Sequence, residues 1–420
     1  MISQLGSSVL AAIGIANVIT FLPITLFLGL SYGIQTLTAR EYGKQSIQIN
    51  TALNTGIICL LLLSLSTAAL ISCFPQSLYS LITQNQQVCS LGKNYLIMRG
   101  LGLIFLSITL GMRAYFQSIC KTHFPPLIIA CAVTINTILN IILIYFTNYN
   151  NNEKLLGIGI TNTIALLFAA LTYSYLFIRH NKTFNICLSL TRSNLKKLLT
   201  LSFPISMHGI ADHLATILLY RMIGTLGVTA IAATHITFNI LGTSPGMGFG
   251  LTALSMVSQA IGADNIKQAK QYGYQVALLG GITLGIIGLL GYILSPSLLT
   301  TFILDKPLLQ TTMTPVKIMC LYLSVHVGSQ IMHKCFEGAS AITHIITTNL
   351  SVLYGFLLPA SFIAIFYFNC NINTVWILLA LEKLLKLLLL IYQWQQEIWI
   401  KGSQREPIIP SQQPKILPTA

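Results

Sequence analysis

Apolar runs of about 20 residues recur from one end of this chain to the other, each long enough to cross ~30 Å of hydrocarbon as a helix. Eleven can be marked, at about 8–35, 51–75, 95–118, 125–147, 156–179, 198–222, 228–257, 273–295, 314–335, 345–367 and 374–395. Barrel strands would be ~10-residue segments of alternating polarity, and these runs are too long and too uniform for that. Composition agrees, with 54% hydrophobic and only 8% charged residues, where a soluble domain carries roughly 25% charged. The pattern excludes a soluble enzyme, a DNA-binding factor and a disordered tail protein. It predicts an all-α polytopic membrane protein.

The charge is the second constraint. Twenty-three Lys and Arg stand against nine Asp and Glu, a net +14. In a soluble chain such an excess points to nucleic acid. Between membrane spans it is explained by the enrichment of basic residues in cytoplasmic loops, so no nucleic-acid partner is expected. Placing the loop after the first run in the cytoplasm puts Arg40, Lys44, Lys121, Lys196, Lys197 and Lys267 inside, with the C-terminus, and leaves a smaller set, Lys93, Arg99 and Lys154 among them, outside. The nine Cys occur singly with no CxxC, so they read as small core residues, and no cofactor or metal is implied. The start Met1-Ile2-Ser3-Gln4 has no basic n-region, so no cleavable signal peptide is expected. Abundant Asn, Ile and Lys suggest an AT-rich bacterial genome and hence the bacterial inner membrane.

An internal repeat divides the chain. Leu5-Gly6-Ser7-Ser8-Val9-Leu10-Ala11-Ala12 answers Leu226-Gly227-Val228-Thr229-Ala230-Ile231-Ala232-Ala233, and Thr38 to Gly43 answers Val257 to Gly262. Duplicated bundles of this kind are typical of secondary transporters, with the substrate path between the halves. The expected organisation is an N-terminal lobe at 1–180 with five spans, a cytoplasmic connection at 181–197, a C-terminal lobe at 198–400 with six spans, and a disordered tail at 401–420. The run at 198–222 precedes the second repeat signal, and its counterpart would fall upstream of Met1. Two pseudo-symmetric lobes of six plus six helices are therefore expected, of which this chain supplies five plus six.

With so few acids, a carboxylate inside a run is readable. Asp212 lies mid-run, eight residues after Pro204. A charge there is costly unless it is paired or faces a cavity, which makes it the leading candidate for ion coupling or substrate binding. A buried acid satisfied by a neighbouring helix is the plain alternative. His208, four residues earlier, shares its helical face, so the two can share a proton. His213 points elsewhere and reads as a packing residue. Tyr322 and His326 stand one turn apart in another run and join the candidate site. Asn136, Asn140 and His235 are further candidates for lining a cavity. Glu382 with Lys383 and Lys386 reads as a structural ion pair, i,i+4 for Lys386. Pro23, Pro204, Pro245 and Pro359 allow bending, and the pairs Gly29/Gly33, Gly246/Gly250 and Gly281/Gly285 form close-packing faces. No HExxH motif is present, so an intramembrane enzyme is not expected.

Several segments in order carry a likeness: the duplicated Leu-Gly-x-x-x-x-Ala-Ala, Ser258-Gln259-Ala260-Ile261-Gly262-Ala263-Asp264-Asn265, Arg113-Ala114-Tyr115-Phe116-Gln117 before Lys121-Thr122, Leu139-Asn140-Ile141 before Leu156-Gly157-Ile158-Gly159, and the closing Trp399-Ile400-Lys401. Over nearly its whole length the chain resembles the multidrug and toxic compound extrusion (MATE) transporters, in their NorM-like branch. The resemblance implies two six-helix lobes around a central cleft and export of small organic cations through the bilayer in exchange for H⁺ or Na⁺, by a monomer. Asp212 looks like the family's acidic residue eight after a proline. At Tyr322-x-x-x-His326 the family has Tyr-x-x-x-Asp, twelve residues before a glycine that Gly338 matches. An imidazole in place of that acid weakens a Na⁺ site, which needs oxygen ligands, and favours H⁺. The alternatives are a lipid-linked oligosaccharide flippase of the same broad plan and a truncated non-transporting remnant.

Overall fold

The computed structural model describes residues 7–400 apart from 47–48, 84–85, 148, 181–190, 243–245 and 303–304. All regular structure among the described residues is helical. The first half comprises α1 (Ser7–Gly43), α2 (Ile49–Cys73), a short α3 (Pro75–Ser80), α4 (Gln86–Ser118), α5 (Phe124–Tyr145) and α6 (Asn151–His180). The second comprises α7 (Arg192–Gly224), α8 (Val228–Gly242), α9 (Gly246–Gly262), α10 (Ile266–Phe302), α11 (Lys306–Gly338), α12 (Ile342–Val352), α13 (Leu358–Phe366) and α14 (Ile372–Gln395). Each apolar run falls in one helix or one broken helix. Residues 192–197 are already helical, so the connection expected at 181–197 is shorter than the hydropathy implies. The tail 401–420, Pro245 and Cys187 lie outside the described residues.

Two runs are broken. The run at 228–257 becomes α8 and α9, bent by 44°. Between α12 and α13 a π turn, Leu353–Leu357, precedes Pro359. Proline has no N–H to give the carbonyl four residues back, and the wider turn absorbs the mismatch.

Seven helical runs are long and apolar enough to cross a membrane, and the α8–α9 pair makes an eighth. The remaining long helices, α7, α11 and α14, are the ones that carry Asp212, Glu337 and Lys386. On α10, Leu278, Leu279, Ile282, Ile286, Leu290 and Ile293 are all more than half exposed. A stripe of that size is stable against lipid and not against water. The chain is a multi-pass membrane protein.

The repeat is visible in how the helices end. Gln45, Cys120, Asp264 and Ser340 all take a positive φ just past α1, α4, α9 and α11. Each end closes in the same way: the N–H of the next residue reaches back, as Ser46 to the Glu41 carbonyl and Asn265 to that of Ala260, or Lys121 to Phe116 and Ala341 to Phe336. These are Schellman closures made without glycine.

One core fills each half, and a small third cluster, Tyr32, Leu201, Ile205, Leu251, Leu254 and Ile342, seals the seam between them. Along that seam, β-carbons added at Gly29 and Gly33 of α1 would run into Ser206 and Ser202 of α7, so small residues on both helices set their approach. In the second core Trp394 is fully buried, stacks on Trp399 at 4.5 Å, meets Phe336 at 5.1 Å and donates its indole N–H to the Lys270 carbonyl at 3.3 Å. Trp394→Ala is expected to cost ~3–5 kcal/mol, read as a lowered midpoint in thermal unfolding of the detergent-purified protein, with α10 loosened first.

Candidate functional site

α7 is set against the broken helix α12–α13, and the polar centre lies in that contact. Asn349 of α12 is 1% exposed. Its amide nitrogen donates to Asp212 Oδ1 at 2.5 Å and lies 2.6 Å from His208 Nε2. Its amide oxygen accepts from the Lys386 ammonium of α14. His208 Nε2 is 4.0 Å from Asp212 Oδ2, which confirms the shared helical face expected of the pair. One turn along, the Tyr354 hydroxyl of the π turn donates to the Ala211 carbonyl at 2.8 Å and ties the break to α7. The Asp212 side chain keeps 44% of its surface exposed, against 8% for His208, so the carboxylate is the reachable member.

Asp212 has its countercharge on another helix, since Asn349 joins Lys386 to it. One sequence expectation is corrected here. Glu382 does not pair with Lys386. Its Oε2 is 2.8 Å from Lys383 Nζ, since Lys386 is drawn across the helix face to Asn349.

The sequence reading missed Asn349 and a neighbouring triad. On α11, His333 Nδ1 is 3.3 Å from Glu337 Oε1, and Lys334 Nζ is 2.6 Å from Glu337 Oε2. The His333 ring sits 4.9 Å from that of His208, joining the triad to the Asp212 group. The i,i+3 and i,i+4 spacings were the available signal. Lys334 also lies over the Tyr32 ring of α1, 3.5 Å from its centroid, so the network reaches the other half of the molecule.

At the same end the halves meet in matched pairs. Arg40 donates to the Gly338 carbonyl at 3.4 Å, and Gln259, its repeat counterpart, donates to the Ser118 carbonyl at 2.5 Å. A β-carbon added at Gly43 would strike the Gln259 carbonyl oxygen, and one at Gly262 the Arg40 carbonyl oxygen.

Tyr322 and His326 are buried on α11 with ring centroids 6.3 Å apart. They wall a cavity of about 350 Å³ within the second half, together with Gln330 and Lys383. Asn136 and Asn140 sit apart: they hydrogen-bond each other at 3.1 Å, and Asn140 accepts from Thr161 of α6 at 2.7 Å. His235 is exposed on α8, away from both groups. His213 stacks on Phe21 at 3.5 Å, the packing role expected of it. Of the cysteines, Cys89, Cys320 and Cys335 are buried, while Cys73, Cys120 and Cys131 face outward and so are not core residues.

A duplicated helical bundle with a polar network on broken, otherwise lipid-compatible helices defines a membrane transporter. The comparisons narrow the class. The MatE family model matches residues 1–146 and 204–363. The chain belongs to that family of multidrug efflux transporters and is not an enzyme. It is 25% identical to a FAD transporter of Shewanella oneidensis over 64% of this chain and 61% of that one, so the match spans less than two thirds of that relative. It is 22% identical to the probable multidrug resistance protein YoeA of Bacillus subtilis, over 94% of this chain and 88% of that one. A solved outward-facing multidrug resistance MATE transporter superposes with a TM-score of 0.83 at 16% identity, covering 94% of this chain and 89% of the other, a likeness of fold.

Proposed function

We propose that the chain is a proton-coupled antiporter that exports small amphipathic compounds by alternating access, as a monomer in the bacterial inner membrane with its C-terminus inside. Residues 1–180 and 198–400 would be the two moving lobes. One observation carries the reading: a single side chain, Asn349, holds Asp212, His208 and Lys386 at once, on the helix that contains the π turn. A proton taken up by Asp212 or His208 changes which of these groups can accept from the Asn349 amide. The contact between α7 and the broken helix is thereby biased by protonation, a local charge change acting on a two-state element.

Two features favour H⁺ over Na⁺. A Na⁺ site needs several oxygen ligands, but the Asn349 carbonyl oxygen is occupied by Lys386, and position 326 offers an imidazole. An export substrate that is an organic cation, as the family resemblance implies, would need Asp212 free to meet it, and Lys386 already stands in that group.

The test is transport of a panel of fluorescent amphiphiles of both charge signs in proteoliposomes, under an imposed pH gradient in Na⁺-free buffer. Extrusion of at least one dye is expected to follow the gradient and to fall about tenfold or more in Asp212→Asn. A requirement for Na⁺, no dye moved, or a wild-type rate in Asp212→Asn would each overturn the reading.

A further inference from the structure

We infer that the cavity inside the second half binds an anionic aromatic ligand, a planar two- or three-ring compound carrying a carboxylate, sulfonate or phosphate. The inference rests on the transporter reading above and names the substrate class for it. The cavity of about 350 Å³ lies among α7, α8, α11, the π turn and α14. That is near the small end of ligand pockets. Leu219, Phe238 and Leu357 give it an apolar, ring-accepting wall.

Its polar side is made of donors. Among the described lining residues Lys383 is the one that is formally charged, and none of them is a carboxylate. Its partner Glu382 is fully buried, so the ammonium is the end of that pair presented to the space. Asp212 is not among the lining residues, and its Oδ1 is held by Asn349. His326 supplies the second donor. Gln330 Nε2 is 3.1 Å from His326 Nε2. An amide nitrogen only donates, so Nε2 accepts and the ring N–H sits on Nδ1. That atom is buried with no hydrogen-bond partner.

An unsatisfied buried N–H is costly, and a ligand that brings an acceptor removes the cost. A carboxylate can accept from Lys383 with charge assistance, and it meets His326 Nδ1, which has no exposed surface, once the ring turns that edge to the cavity. A quaternary ammonium satisfies neither donor and meets a like charge. Phe238 and Tyr322 attract cations through their ring faces, but at ~0.5–2 kcal/mol that attraction does not offset the desolvated ammonium beside them. Position 326 thus acts as the specificity residue: an acid there would leave the cavity with one charge of each sign.

The matched pair 2-naphthoate and (2-naphthyl)trimethylammonium, alike in ring and opposite in charge, tests this. Binding is measured by isothermal titration calorimetry on the full chain in nanodiscs, with empty nanodiscs subtracted. Naphthoate is expected to bind at least about tenfold more tightly than the ammonium compound, the value of one charge-assisted hydrogen bond. His326→Asp is expected to abolish the preference for naphthoate, and Lys383→Gln to remove most of the naphthoate affinity. Because Lys383→Gln strands Glu382, the double variant Glu382→Gln/Lys383→Gln serves as the folded control with the same expected loss. Equal or cation-favouring affinities, no heat above empty nanodiscs for either compound, or naphthoate binding unchanged in the double variant would overturn the inference. Binding needs no gradient, so it can hold while transport fails, and a cationic dye can be pumped while naphthoate is ignored. The two readings therefore fail separately.

Discussion

Asn349→Leu is expected to destabilise the folded protein by ~3–5 kcal/mol and to end coupled transport. The side chain that leaves is, among the described residues, the sole hydrogen-bond acceptor of the Lys386 ammonium, on a residue 8% exposed, and the donor to Asp212. Leucine fills the volume but offers neither group, so a buried charge loses its compensation, the case in which breaking a polar network is most costly. Adding Lys386→Met removes the stranded charge. The double variant Asn349→Leu/Lys386→Met is therefore expected to regain most of the unfolding midpoint lost by the single one, in fluorescence-detected melts, while gradient-driven dye extrusion stays at background. A structural role alone predicts that stability and transport return together. A stability unchanged in the single variant would show that Asn349 does not hold the centre.

The same network marks the limit of what could be read from the residues in order. Asp212 and His208 announced themselves because they sit four apart in an apolar run. Asn349 could not: an uncharged amide among Ile345, Ile346, Thr347, Thr348 and Leu350 leaves no periodic trace, and its role depends on which helix faces which. Lys386 was misassigned for the same reason. The i,i+4 rule favours Glu382 within one helix, and a partner on α12 overrode it. The helices themselves were legible, since hydropathy and length fix them. Their breaks were legible in part: of the four prolines expected to allow bending, Pro359 follows the π turn and Pro245 falls in sequence between α8 and α9, whereas Pro23 and Pro204 lie inside continuous helices. The Schellman closures at Gln45 and Asp264 were also hidden, as neither residue is the glycine that usually signals one. The repeat was legible; whether equivalent positions meet across the seam was not read from it.

They do, and the second large effect follows. Gly43→Val/Gly262→Val is expected to abolish transport by holding the halves apart at the end of the molecule that the basic residues assign to the cytoplasm. Gly43 faces the carbonyl of Gln259, and Gly262 faces the carbonyl of Arg40. Arg40 and Gln259 are themselves repeat counterparts, so the two contacts are one contact made twice about a pseudo-two-fold axis. A β-carbon at either place meets backbone rather than a movable side chain, and relief requires the helix ends to separate. Each added group costs about 1–3 kcal/mol as overpacking, and two act on the same closed arrangement, so a closed state favoured by a few kcal/mol loses its majority. The distance between spin labels carried by unnatural amino acids at positions 44 and 267, both exposed, is expected to lengthen and its distribution to broaden. Gly248→Val is the control, because a β-carbon there meets nothing within 4 Å. It should transport at the wild-type rate. If the paired substitution leaves the label distance unchanged, the glycine contacts do not close this end, and the matched hydrogen bonds from Arg40 to Gly338 and Gln259 to Ser118 must do so without them. If Gly43→Val alone matches the pair, the closure is carried by one contact and the symmetry is structural rather than mechanical.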